Sequence, residues 1–287
     1  MIARANGRIP PMSRMRVGVI GAGHVGAIHA RIYAQLPEAE LVGVCDIAPE
    51  RAQAVAGPWG ATPYPTVRRL LPHVEAVSIA VPTAEHFRVA KACLARGIHV
   101  LLEKPITRTL AQADALLALA AQHQAVLQVG HVERFNSAFQ GIASILREPR
   151  FIECHRLGPY TQRGTDVGVV LDLMIHDIDI VLWLVRSPVT RIEGVGVNVL
   201  SASEDIANAR LTFANGAVAN LTASRVTPEA LRKIRLFQQE TYISVDYAAQ
   251  AAKIFQRRNG TITQQEDRKS TRLNSSHGTL SRMPSSA

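Results

Sequence analysis

Three clusters of residues combine types and spacings that could do chemistry. Gly21, Gly23 and Gly26 stand in G-x-G-x-x-G order within GAGHVG, with His24 and Val25 inside the motif. Glu103, Lys104 and Pro105 close a β-rich run, IHVLLEKP, and set an acid beside an amine. Residues 169–185, VVLDLMIHDIDIVLWLV, are apolar except for Asp172, His176, Asp177 and Asp179. The glycines suit a pyrophosphate: the first permits a tight turn, the second lets phosphate approach the backbone, the third lets a helix pack on a strand. The 169–185 run predicts one buried helix. At 100° per residue, positions 172, 176 and 179 fall within about 60° of one another, with Asp177 pointing elsewhere. Polar groups on a buried helix are costly unless partnered, and this stripe has three readings. It is a satisfied core histidine with helix-capping acids, part of a divalent-metal site with no obvious third ligand, or a general base with its orienting acid facing a cofactor cleft. No resident metal is expected.

The elements around the glycines sharpen the first cluster. RVGVI (16–20) predicts a strand, AIHARIYAQL (27–36) a helix, and ELVGVCD (40–46) a second strand ending at Asp46, 20 residues after Gly26. Strand, glycines, helix, strand and acid in register predict a dinucleotide-binding unit, with Asp46 on the ribose hydroxyls. Asp46 would repel a 2′-phosphate, and Ile47, Ala48 and Pro49 supply no arginine, so NAD is expected; Arg51 keeps NADP open. The alternation continues through PERAQAVAG, AVSIAVP (76–82), AEHFRVAKACLARG, IHVLLEKP, LAQADALLALAAQHQ and AVLQVGH (125–131), which predicts a parallel sheet with right-handed crossovers. Ligands bind such sheets at the strands' carboxyl ends, where Thr83 and Lys104 fall. Lys104 otherwise reads as a surface lysine paired with Glu103.

After residue 131 the rhythm changes to strands: RFIECHRLG, TRIEGVGVNVL, IANARLTFANGAVANLTASRV, KIRLFQQE, TYISVDY and AAKIFQRR, with a hairpin turn at Ala214-Asn215-Gly216. The expected fold is α/β plus α+β: a doubly wound parallel sheet over 15–130, then a largely antiparallel open sheet with helices over 131–266.

Length and composition limit the alternatives. The chain has 287 residues, 47% hydrophobic and 19% charged, which excludes a disordered or collagen-like polymer. No stretch approaches the roughly 18 uncharged apolar residues of a membrane span. Cys45, Cys93 and Cys154 are odd in number and scattered, so a reducing, cytoplasmic setting is expected. The formal charge of +9 raises nucleic-acid binding. Residues 1–14 and 267–287 each carry +3, however, which leaves an unremarkable +3 on the body, and nucleic acid is not an expected partner. Residues 1–14 read as an extension without an ordered role, with translation starting at Met12 or Met15. Asp267–His277 and Ser281–Ala287 match, in one frame, the translation of a common short-read sequencing adapter. Residues 267–287 therefore read as a non-native tail on a chain cut short near Glu266.

GAGHVG, Pro82-Thr83 with His86, Glu103-Lys104-Pro105 and DLMIHDID (172–179) together resemble the Gfo/Idh/MocA oxidoreductase family over residues 15–266. The resemblance implies that the lysine and a D-x-G-x-H-x-x-D helix line the active site, which maps onto Lys104, Asp172, His176 and Asp179. Met174 stands where the pattern has glycine, which implies a differently shaped pocket. VGHVERFN, RGTDVGVVLDLMIHDIDIVLWL and ANGAVANLTASRV resemble a branch that oxidises the C3 hydroxyl of UDP-N-acetylglucosamine with NAD, toward lipid A. On that reading His176 is the base, Lys104 stabilises the developing alkoxide, and Asp172 orients the base or a hydroxyl. Glu103, Thr83, Pro82 and His86 contact the nicotinamide side or order its loop. Arg134, Asn136, Arg156 and Arg163 are candidates for the substrate, its phosphates above all, with Asp179 beside them. The same residues would serve a free polyol or aldose dehydrogenase of the inositol type; a nucleotide-sensing regulator would not need all of them. The likeness also implies a homo-oligomer.

Overall fold

The computed structural model describes residues 14–142, 144–161, 167–258 and 261–268. The chain divides into two compact units, with the boundary between Gly130 and His131.

The first unit is a six-stranded parallel sheet. Its strands are β1 (Met15–Ile20), β2 (Ala39–Cys45), β3 (Thr62–Tyr64), β4 (Ala76–Ile79), β5 (His99–Leu102) and β6 (Leu127–Val129), in the order β3-β2-β1-β4-β5-β6. The order reverses direction between β1 and β4, and a dinucleotide binds at such a switch point. The central strands are buried on both sides and read as nearly continuous apolar runs, as parallel strands must. Helices α1 (His24–Gln35), α2 (Pro49–Ala56), α3 (Val67–Leu70), α4 (Thr83–Leu94) and α5 (Leu110–Gln122) complete the crossovers. One core cluster is built from large residues, among them Leu70, Ile79, Leu94, Leu102 and Leu116. A second gathers small ones, Ala22, Ala30, Ala56 and Ala61, around Val19 and Val44. The edge strand β3 carries Pro63, which an edge tolerates because one side needs no ladder donor.

The second unit is an eight-stranded sheet: β7 (Phe151–Leu157), β8 (Val189–Val197), β9 (Ile206–Phe213), β10 (Val218–Ser224), β11 (Leu231–Gln238), β12 (Thr241–Asp246), β13 (Ala251–Arg258) and β14 (Thr261–Arg268). The order is β14-β13-β12-β11-β7-β10-β9-β8, antiparallel throughout except for β7 with β10. Period-two alternation buries one face: Ile152 and Cys154 on β7, Leu221 on β10, Ile234 and Leu236 on β11, Ile243 and Val245 on β12. These residues share a core with Phe139 of α6 (Ser137–Ile142) and with Ile180, Val181 and Val185 of α7 (Ile175–Val185). The other face carries an aromatic row, Phe151, Phe237, Tyr242 and Phe255, with adjacent centroids 4.9–5.6 Å apart.

One expectation needs correction here. The 169–185 run is not one regular α-helix: Val170–Met174 is π-wound and α7 follows from Ile175. Each residue of a π turn advances by less than 100°, so the arc drawn for 172, 176 and 179 does not carry through to Asp172. Asp267 and Arg268 continue β14 opposite Ala252 and Ala251; residues 269–287 and 1–13 lie outside the described residues.

Candidate active site

The glycine loop of the first unit has the geometry the spacing predicts. Gly21 has φ +98°, and a Cβ there would sit 2.6 Å from the Ala80 carbonyl oxygen. A Cβ on Gly26 would sit 1.8 Å from the Gly21 carbonyl oxygen, so only glycine lets α1 start this close to the loop. A Cβ on Gly23 would meet nothing within 4 Å. The loop is thus closed on the protein side at two glycines and open at the third, where phosphate approaches in a dinucleotide fold. Gly23 caps α1, and no acid stands in the helix's first turn, which leaves the first-turn amides and the positive end of the dipole facing a bound phosphate. His24 is exposed and Val25 half-buried. Asp46 follows β2, as expected. Its Oδ2 accepts from the Ala22 amide at 2.7 Å and its Oδ1 from the Ala48 amide at 2.9 Å, which ties the loop to the end of β2. Arg51 approaches the same carboxylate at 3.6 Å.

At the ends of β4 and β5 the structure gathers Pro82, Thr83, His86, Glu103 and Lys104. Pro82 caps α4, and Thr83 is buried in its first turn. His86 is buried with both ring nitrogens on backbone carbonyls, Nδ1 on Pro105 at 2.8 Å and Nε2 on Val81 at 3.0 Å. It therefore straps the Glu103-Lys104-Pro105 turn, which contains a cis Lys104–Pro105 bond, to the end of β4. Glu103 packs against Gly130, where a Cβ would meet its carboxylate at 2.9 Å. Burial raises the Glu103 carboxyl above its ordinary pKa, opposed by the Lys104 amide and ammonium. His29 of α1, absent from the sequence-based candidates, reaches Glu103 with Nε2 at 3.4 Å.

In the second unit, Asp172 lies in the π turn and His176 in the first turn of α7, both half-buried. The neighbouring acids are held by arginines. Asp179 takes both Nε, at 2.7 Å, and Nη2 of Arg134, with His131 at 3.9 Å. Asp177 takes Nε and Nη2 of Arg156, each at 3.0 Å. Arg156 also meets Glu133 at 3.3 Å and stacks 5.1 Å from the Tyr247 ring. Burial works against the Arg156 charge, but Asp177 and Glu133 more than offset it and hold its pKa above the ordinary arginine value. In the partner, burial outweighs the attraction and pulls the Asp177 carboxyl up. Arg156, a sequence candidate for phosphate, is only 4% exposed and committed to this network. Asn136 caps α6 through Oδ1 on the Ala138 amide and donates Nδ2 to the Tyr247 carbonyl. Arg163 lies outside the described residues.

Two family models cover most of the chain. The oxidoreductase family's NAD-binding Rossmann fold matches residues 15–131, and the GFO/IDH/MocA C-terminal domain matches 128–244. The chain belongs to the Gfo/Idh/MocA oxidoreductase family. It is 42% identical over 252 residues to UDP-N-acetylglucosamine 3-dehydrogenase of Acidithiobacillus ferrooxidans, covering 88% of this chain and 80% of that one. A solved structure of that enzyme superposes with a TM-score of 0.84 at 40% identity, covering 91% and 85%. Myo-inositol 2-dehydrogenase of Lactobacillus plantarum shares the fold at a TM-score of 0.74 and 19% identity, covering 81% and 76%. As a Gfo/Idh/MocA member the chain is an NAD-binding oxidoreductase, and its open glycine loop with Asp46 fits the adenosine diphosphate half of that cofactor. No helix among the described residues is long and apolar enough to cross a membrane.

Proposed function

We propose that this chain oxidises the C3 hydroxyl of UDP-N-acetylglucosamine to the 3-keto sugar with NAD, and so supplies a ketone for amination on the way to lipid A. The observation that supports it most is the 42% identity to an enzyme of that name, which reaches across both units. Inositol dehydrogenases match over less of the chain: that of Streptomyces avermitilis is 34% identical over 61% of it.

NAD, when bound, accepts the hydride. Gly21, Gly23 and Gly26 hold its pyrophosphate and Asp46 its ribose. His176 takes the proton of the C3 hydroxyl, and an imidazole is suited to that near neutral pH. Lys104 donates to the same oxygen and stabilises the charge that develops on it. Asp172 orients the base or a neighbouring hydroxyl. Arg134, its side chain 43% exposed, and Arg163 hold the diphosphate, and Asp179 fixes the Arg134 guanidinium. The proposal also makes the enzyme a cytoplasmic homo-oligomer, supported by exposed apolar residues on β8, Ile192, Val195 and Val197.

The test is NAD reduction at 340 nm with UDP-N-acetylglucosamine, beside free sugars and inositol, with Lys104→Ala and His176→Ala as controls. Turnover confined to the UDP-sugar and lost in both variants supports the reading. Turnover on a free polyol alone discards the substrate and keeps the mechanism; no turnover in a folded, NAD-binding protein discards both.

A further inference from the structure

A polar chain runs through the first unit beneath the proposed catalytic lysine. Ser78 of β4 is fully buried, and its hydroxyl lies 2.6 Å from Nδ1 of His29 on α1. Nε2 of the same ring faces Oε1 of Glu103 at 3.4 Å. Both side chains are mostly buried, His29 at 14% exposure and Glu103 at 18%. The carboxylate is backed by Gly130, which has no side chain to displace it. Tyr33, one turn beyond His29, meets Ser78 from the far end. Facing this chain are His29 and Tyr33 from α1, Ser78 from β4, Glu103 and Lys104 from the end of β5, and the Gly130 backbone after β6.

A neutral imidazole has one N–H and one lone pair. The Ser78 hydroxyl can donate to Nδ1, which leaves the ring's N–H on Nε2, the nitrogen 3.4 Å from Glu103. Burial lowers the His29 pKa, which favours the neutral ring. A buried carboxylate that loses its donor becomes easier to protonate. Resting on the assignment of Lys104 to the reacting oxygen, we propose that His29 is a positioning residue for the known reaction class: its Nε2–H holds Glu103 as an ordered carboxylate, and Glu103 in turn holds the neighbouring Lys104 ammonium at its post.

The experiment compares His29→Leu, His29→Gln, Glu103→Gln and the double variant His29→Leu with Glu103→Gln. Leucine removes the donor; glutamine keeps both a donor and an acceptor. The expected kcat of His29→Leu is lower by roughly ten- to hundredfold, the scale of one lost hydrogen bond to a charged group. Its acid limb moves to higher pH, and NAD affinity by fluorescence titration stays within about twofold. His29→Gln recovers most of kcat, and the double variant is no slower than Glu103→Gln alone, because the two residues act in series. Labelling of Lys104 by an amine reagent at pH 8, followed by mass spectrometry, rises to the same extent in His29→Leu and Glu103→Gln. That readout needs no substrate, so it separates this inference from the substrate assignment. Additive losses, a wild-type acid limb in His29→Leu, or unchanged Lys104 labelling overturns the inference. If His29→Leu does not fold, His29→Gln beside Glu103→Gln decides it: labelling equal in those two variants overturns it, and labelling raised only in Glu103→Gln sustains it.

Discussion

Two glycines three residues apart give opposite forecasts. At Gly23 the backbone has φ −76° and ψ −171°, open to any residue, and a methyl group would meet no protein atom within 4 Å. Gly23→Ala therefore leaves the fold alone: a small loss at the helix cap offsets a small gain from a stiffer unfolded chain, and Tm stays within about 2 °C. The methyl group occupies the space that the pyrophosphate needs, and NAD affinity falls at least tenfold, about 1.4 kcal/mol. At Gly26 the methyl carbon would lie 1.8 Å from the Gly21 oxygen, whereas ordinary contact begins near 3.4 Å. Helix α1 must retreat by about 1.5 Å, and such overpacking costs about 1–3 kcal/mol. The expected drop in Tm is roughly 3–10 °C, accompanied by loss of NAD binding. Differential scanning fluorimetry with and without NAD reads both quantities. Wild-type affinity in Gly23→Ala, or a Gly26→Ala protein with unchanged Tm and affinity, would refute the assignment of the loop.

Other forecasts rest on buried charge. Arg156→Met strands Asp177 without its bidentate partner and costs about 3–5 kcal/mol in urea denaturation, whereas replacing both residues with apolar ones recovers much of the loss. Glu103 has a folded pKa above its unfolded value, so its contribution to stability is complete below the unfolded pKa and is lost as pH rises through the folded one. Glu103→Gln therefore raises Tm at pH 7 and not at pH 4, while activity falls; an equal shift at both pH values contradicts the assignment. His29 has the opposite sign: its stabilising effect is complete above the unfolded pKa and fades as pH falls through the depressed folded one, so His29→Gln flattens the stability profile below pH 6.5. Burial pushes the Cys45 thiol up to about 11 and the Cys93 thiol to about 12, and Cys154 is buried as well, so an aromatic disulfide reagent labels none of the three until the chain is denatured.

Much of the first unit is legible in the sequence because each local signal is enforced by backbone geometry. The Gly21 and Gly26 positions admit no side chain, and Asp46 sits where a strand ends. What stayed hidden there was β3, three residues long with a proline, and the His29–Ser78–Glu103 chain. His29 falls three residues after Gly26 on the helix side that meets β4, but one histidine in an apolar helix carries no partner's address. Glu103 is 74 positions away in sequence, and only the parallel crossover brings it near.

The second unit shows where periodicity fails. Alternation located β7 and β9 to β13 because one face of each is buried. The 172–179 stripe was harder, because helical geometry converts spacing into direction only while the winding is regular. Val170–Met174 departs from that winding ahead of His176. The arginines then divide the acids in a way that spacing cannot show: Asp177 and Asp179, two residues apart on α7, take Arg156 from a buried strand position and Arg134 from the segment before α6. Identical residue types thus acquire different duties. Arg156, 4% exposed, is bound into the core, whereas Arg134 keeps 43% of its side chain in solvent with Asp179 fixing its plane. Of the two guanidinium groups, Arg134 is therefore the one to substitute when KM for a diphosphate substrate is measured. Arg134→Lys, which keeps the charge and loses the fork, should raise that KM more than it lowers kcat.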